Sequence, residues 1–460
     1  MVTIPIHHET NDADFRQLSD FVVAEMRRLS VPGVAVGLIH DGREHLAGFG
    51  VTSVENPLPV TADTLFQIGS TTKTITGTIV MRLIEQGLID LDAPVKSYLP
   101  ELTLQDKAAE AAVTTRHLLT HMGGWLGDFF RETGSGDDAL ARYVAEMAGL
   151  PQVVPAGAVW SYNNAGFGLA GRLIEVVSGQ PYEALAQAMV LDPLGMDNSF
   201  FFPADVISRR FAVGHRLDAQ DGVVVERPWA LARSGHAVGG LCSSARDQMR
   251  YARFHLGDGA TASGERLLSA ATMAAMQSPC CDANLGRQMG LSWILKEIGG
   301  ERIVMHGGAT NGQLSAFLMV PARGFALTVL TNADEGSMLH DEVVRWALGH
   351  YLGLVEPATT HLTLDAAALN EYLGTYTARL GDLELYLDGE QLMARHTPHG
   401  GFPDVDSPPS PAPPPSRLAF FAPDCLIALD PPLINMKAEF LRDAAGRIEW
   451  LRTSRLHRRQ

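Results

Sequence analysis

"FQIGSTTKTITG" occupies residues 66–77, and its reading decides the fold. It is either an active site or a polar helix start that carries a lysine. Ser70 stands three residues before Lys73. The chain is poor in lysine: the five lysines fall at 73, 96, 107, 296 and 437, and only Lys73 has a serine three residues upstream. From Ser70 onward, Ile75, Ile79, Leu83 and Val80, Ile84 recur at helical spacing, and Gly87 is a stop signal. Ser70 therefore opens a helix, and Lys73 lies one turn further on the same side.

A serine hydroxyl is a weak nucleophile. It needs a base within hydrogen-bond reach and a place for the oxyanion that forms. A helix N-terminus supplies unpaired N–H groups and a dipole that favours negative charge. A lysine amine packed among apolar groups near another cation loses basicity and can act as the base. The ordinary alternative is a capped, solvated helix start.

Two more stretches carry suitable chemistry. WSYNNAGFGLAG (160–171) puts Tyr162 and Asn164 at the entrance of a helix that runs to Val177 and stops at Gly179. A phenol shared with a lysine can take or return a proton. Standing alone, Tyr162 and Asn164 would read as a core tyrosine beside a turn asparagine. HGGATNG (306–312) precedes a β-type run. Its glycines allow the backbone close to a ligand. The strand edge could then offer an N–H opposite that of Ser70. The plain alternative is a glycine turn.

Together, Ser70-Thr-Thr-Lys73, Tyr162-Asn-Asn164 and His306-Gly-Gly308 resemble the serine β-lactamase and penicillin-binding-protein superfamily. The match is to its class C-like branch of serine hydrolases, esterases and D-amino-acid peptidases, which carries SxxK, YxN and KTG or HxG in this order. VPGVAVGLI, LFQIGSTTKTIT, RHLLTHMGG and VGGLCSSARDQ add to the likeness, which covers residues 15–355. The resemblance implies that Ser70 is acylated and that Lys73 and Tyr162 share the general-base role. It implies that Asn164 holds Lys73 and contacts the substrate amide, that His306 and Gly308 line the substrate site, and that the Ser70 and Ala309 N–H groups form the oxyanion hole. It also implies a reaction without metal or cofactor. HGG lacks the lysine and threonine of KTG and is similar to esterases and D-aminopeptidases. The usual LLTHTSGL turn reads Leu118-Leu-Thr-His-Met-Gly-Gly-Trp125.

The implied fold is α+β. An antiparallel sheet is flanked by helices, with an all-helical subdomain inserted between the first and last strands. This domain is expected over residues 1–356. After Gly353 the pattern changes to short alternating strands: GTYTA, LELYLDGEQLMAR, RLAFFA, KAEFLRD and RIEWLRTS. They predict a small antiparallel β-barrel over residues 363–460, similar to the lipocalin-like appendix of some members. SPPSPAPPPS (407–416) reads as a stiff loop between two strands.

Composition excludes several classes. The net charge of −16 argues against nucleic acid, because phosphate binding needs clustered Lys and Arg. No run has the length and apolarity of a membrane span. The start, MVTIPIHHETNDADFRQL, lacks the layout of a signal peptide and reads as a cytoplasmic protein. Cys242, Cys280, Cys281 and Cys425 form no CxxC pair and read as reduced thiols. His117 and His121 stand at i, i+4, but HLLTH lacks the glutamate of a zinc peptidase helix. The absence of GxSxG argues against an α/β-hydrolase. The expected partner is a small-molecule or short-peptide substrate. The substrate bond stays open between an ester, a D-amino-acid amide and a β-lactam or D-Ala-D-Ala terminus, and a non-catalytic binding protein on the same fold is the rival from another class. Oligomeric state also stays open, from a monomer to a homo-oligomer.

Overall fold

The alternating Val34, Val36 and Leu38 form strand Gly33–His40, which turns into its antiparallel partner Arg43–Gly50. Asp41 and Gly42 have φ of 49° and 74°, the conformation a two-residue hairpin requires. This computed structural model describes residues 4–220, 222–229 and 231–460. Residues 1–3, part of the start read above for targeting, lie outside the described residues.

Gly33–His40 pairs on its other side with Phe325–Thr331, almost three hundred positions later in the chain. Next come Gln313–Val320, Glu301–Thr310 and Ile294–Ile298. With short strands at both edges they make one antiparallel sheet of nine strands. One face is covered by helices Ala13–Leu29 and Gly336–Leu352, whose Phe15, Leu18, Val22, Leu339 and Val343 are buried on it. The other face meets the helical insertion, led by Thr72–Glu85 and Asn164–Ser178. The α+β architecture read from the sequence is the one observed.

Three local readings change. HGG is not a turn before a strand: it lies inside strand Glu301–Thr310, and the turn is Asn311-Gly312. The sequence TTRHLLTHM predicts a helix over 114–122, but only Thr115–Leu119 forms one, capped by Thr114, and His121 leaves it with φ 59°. The sequence also predicts a helix over 266–277, which begins later, at Ala270, because Ser269 caps it by accepting the Thr272 N–H.

The C-terminal part closes into an eight-stranded antiparallel barrel from Gly374 to Arg459. The sequence reading missed two of its strands, Cys425–Ala428 and Leu456–Arg459. Each is only four residues long, too short for a clear alternation. Tyr376, Leu385, Leu418, Phe420, Phe440 and Leu451 fill the interior. The proline-rich run lies between strands Gln391–Pro398 and Ser416–Ala422. The same connection touches the insertion, where the Val405 N–H donates to the Phe130 carbonyl at 3.1 Å. Among the described residues, no helix is long and apolar enough to cross a membrane.

Candidate active site

Ser70 sits in a 3-10 turn, Gly69–Thr71, that runs directly into helix Thr72–Glu85. The turn is clamped against the sheet. Ser315 Oγ donates to the Ile68 carbonyl at 2.7 Å and lies 2.8 Å from Thr71 Oγ1. Strand Glu301–Thr310 presses on the same turn. A Cβ on Gly308 would stand 1.9 Å from the Ile68 oxygen and 2.6 Å from the Ser70 nitrogen. Gly69 has φ +51°, and a Cβ there would lie 2.6 Å from the Ala309 nitrogen. Glycine at both positions lets the Ser70 and Ala309 amides come to the same place.

Lys73 is fully buried. Its Nζ lies 2.8 Å from Ser70 Oγ and donates to the Val238 carbonyl at 2.8 Å. The rings of Tyr162 and Phe167 stand 5.2 and 5.6 Å away. Burial, and then the charge of Arg455, hold the Lys73 pKa well below the usual lysine value, against a smaller opposite pull from Asp128. Tyr162 is hydrogen-bonded to Ser70, and burial pushes its phenol up to about 12 even though that bond and Arg455 act the other way. Lysine and tyrosine therefore sit on one hydroxyl, with the lysine biased toward its neutral form.

His306 is buried, with its ring centroid 6.3 Å from that of Tyr162. Its Nδ1–H donates to the Gly307 carbonyl at 2.7 Å, and among the described residues Nε2 has no hydrogen-bond partner. Burial and then Lys73 lower its pKa to about 3, so the imidazole is neutral near pH 7. Asn164 departs from the expectation. Its Nδ2 donates to Asp128 Oδ1 at 2.9 Å, while Lys73 is held by Ser70 and Val238. The reason is a charge that the sequence reading did not place there. Asp128 is paired with Arg455 at 2.9 and 3.0 Å, and this carboxylate takes the amide.

Arg455 comes from the barrel. The hairpin between strands Ile448–Arg452 and Leu456–Arg459 reaches the domain that carries Tyr162. The Ser454 carbonyl accepts the Tyr162 N–H at 2.9 Å. The Arg455 guanidinium lies 4.9 Å from the Tyr162 ring, and a third of its side chain, 34%, remains exposed. Nothing local in RTSRLHRRQ marks Arg455 among its arginines, because its partner is 327 positions away. His121 was also missed as part of the site. Its ring packs on Tyr162 with centroids 4.2 Å apart, and its Nδ1 accepts the Asn163 N–H at 3.0 Å. His117 is engaged elsewhere, capping its own helix through the Thr114 N–H at 3.1 Å.

The profile of the beta-lactamase family matches residues 18–349, most of the chain. The chain belongs to the beta-lactamase family. This family member is 34% identical over 333 residues to penicillin-binding protein 4 of Amycolatopsis lactamdurans, covering 71% of this chain and 87% of that protein. It is 34% identical over 223 residues to esterase EstB of Burkholderia gladioli, covering 44% of this chain and 56% of EstB. The crystal structure of SurE superposes with a TM-score of 0.77 at 26% identity, over 97% of this chain and 99% of SurE. That last likeness extends over the barrel as well as the β-lactamase-like domain.

Proposed function

We propose that this chain is a serine hydrolase that cleaves an ester or amide through an acyl-enzyme on Ser70. The observation that carries the reading is the buried Lys73 amine 2.8 Å from Ser70 Oγ, with its pKa depressed. Neutral Lys73 takes the Ser70 proton as Oγ attacks the substrate carbonyl. The N–H groups of Ser70 and Ala309 receive the oxyanion. The proton passes through the Lys73–Tyr162 pair to the leaving alcohol or amine, and the acyl group stays on Oγ. A water then repeats the sequence in reverse and frees the acid. Tyr162, with its pKa near 12, serves as the proton relay and hydrogen-bond donor, so Lys73 is the base. Neutral His306 and the edge of its strand border the substrate. Asn164 acts at one remove, by fixing Asp128 and through it Arg455.

Esterase or D-amino-acid amidase activity fits best, because His306-Gly-Gly308 lacks the cationic lysine of KTG. The test is a parallel screen of wild type and Ser70→Ala. It uses p-nitrophenyl acetate and butyrate, nitrocefin, and the p-nitroanilides of D- and L-alanine. Ser70-dependent ester cleavage alone marks an esterase, and D-alanine anilide cleavage a D-aminopeptidase. Nitrocefin turnover would move the reading to a β-lactamase. Wild type without turnover or Ser70 acylation by mass spectrometry would overturn the hydrolase reading in favour of a binding protein.

A further inference from the structure

A second feature opens where the barrel meets the sheet, at the strand that carries His306. A cavity of about 740 Å³ runs between strand Glu301–Thr310, helix Gly336–Leu352, the linker after it and the barrel turn at 434–437. Its size is that of a ligand site rather than a packing gap. One end is walled by His306, Gly307 and Ser454, of which His306 and Ser454 neighbour Tyr162. The other end is apolar and open. Val355, Ile434 and Met436, exposed by 69%, 40% and 52%, gather there. Large apolar side chains left open together along one crevice are matched to an apolar ligand.

The charges in the walls are the second observation. The chain as a whole carries −16, yet this crevice holds Arg287, Lys296, Arg345 and Lys437 against Asp341 and Glu356. Lys296 is paired with Glu356, and Arg345 with Glu342. Arg287 and Lys437 hold no carboxylate in an ion pair among the described residues, and Lys437 lies over the Phe421 ring at 5.1 Å. Burial raises the Asp341 pKa against the opposing pull of Arg345 and Arg287. Two open cations on an acidic protein attract a negative group into a low-dielectric wall. The barrel offers no rival room for such a chain, since its interior is filled with side chains.

We propose that this interdomain crevice is the acyl-arm subsite: it receives an extended apolar chain bearing an anionic group, which Arg287 and Lys437 hold. The proposal rests on the serine hydrolase reading for its chemistry. The substrate class is then an ester or amide of a long, negatively charged acyl chain. The barrel acts in substrate choice by forming one wall.

Two measurements on the full chain test it. The first compares kcat/KM for the mono-p-nitrophenyl ester of suberic acid with that for p-nitrophenyl octanoate. These chains match in length and differ by the terminal carboxylate. Wild type should prefer the suberate by about tenfold or more, and Arg287→Ala/Lys437→Ala should bring the ratio close to one. The ratio is taken on one enzyme, so a general loss of activity cancels. The second titrates Ser70→Ala with 11-(dansylamino)undecanoic acid. Saturable fluorescence should weaken at least tenfold in the Arg287→Glu/Lys437→Glu background and in high salt. A wild-type ratio near one, together with dansyl binding that ignores both reversals, overturns the subsite. Dansyl binding that depends on these cations, with no Ser70-dependent turnover, would instead overturn only the hydrolase reading.

Discussion

Arg455→Ala should move the acid limb of the pH–rate profile to higher pH. Lys73 Nζ and Arg455 Cζ lie 5.2 and 4.9 Å from the centroid of the same Tyr162 ring, so the two charges are at most about 10 Å apart. At an effective dielectric constant of about 20 their repulsion is about 1.7 kcal/mol, or just over one pH unit on Lys73. Screening through the exposed third of Arg455 lowers this toward about 0.3 unit, the value in water. The sign follows from the chemistry. The base is neutral Lys73, Arg455 disfavours its protonated form, and removing Arg455 lets Lys73 hold its proton to higher pH. Asp128→Asn acts oppositely, because Asp128 favours the protonated lysine. The double variant removes both charges and should return close to wild type. The limb should therefore rank Asp128→Asn lowest, wild type and double variant between, and Arg455→Ala highest. The assay is kcat/KM for p-nitrophenyl acetate across pH, corrected for spontaneous hydrolysis. Single variants that leave the limb in place, or move it in the same direction, refute the assignment of Lys73 as a base tuned by the barrel.

Other outcomes follow from the same geometry. Gly308→Ala should lower kcat/KM about a hundredfold with circular dichroism unchanged, since its Cβ would drive the strand off the Ser70 turn. Tyr162→Phe should reduce kcat by about a hundredfold or more while Ser70 is still slowly acylated, seen by intact mass. His306 has a pKa near 3, so the rate profile should show no histidine limb between pH 5 and 8; a His306→Asn variant that abolishes such a limb would contradict this. Burial pushes the Glu183 carboxyl up, but His236 and Arg233 outweigh it and hold it at about 2, below its free value of 4.5. Its stabilisation, about 3 kcal/mol, is therefore present above pH 4.5 and is lost as pH falls toward 2. Glu183→Gln should lower Tm at pH 7 and flatten the acid side of the stability curve.

The sequence by itself determined what local chemistry can encode. Ser70 and Lys73 share a helix turn, so their proximity follows from helical periodicity alone. The hairpin at Asp41-Gly42, the cap at Thr114 and the stop at Gly179 are settled by residues within four positions of one another. The ordered motifs carried Tyr162, His306 and Gly308 to the same site through a family resemblance, not through spacing. Only the tertiary structure decided the rest. Asn164 turned to Asp128 rather than Lys73, because an ion pair with Arg455 fixes that carboxylate across the domain boundary. HGG became a strand because its inner neighbour Gln313–Val320 pairs with it, His306 opposite Phe317, Gly307 opposite Ala316 and Gly308 opposite Ser315, a pairing its glycines do not announce. The charge that tunes Lys73 and one cation of the crevice, Lys437, come from a barrel more than three hundred residues away from Ser70. Long-range packing brings them in, and no periodicity along the chain reports long-range packing.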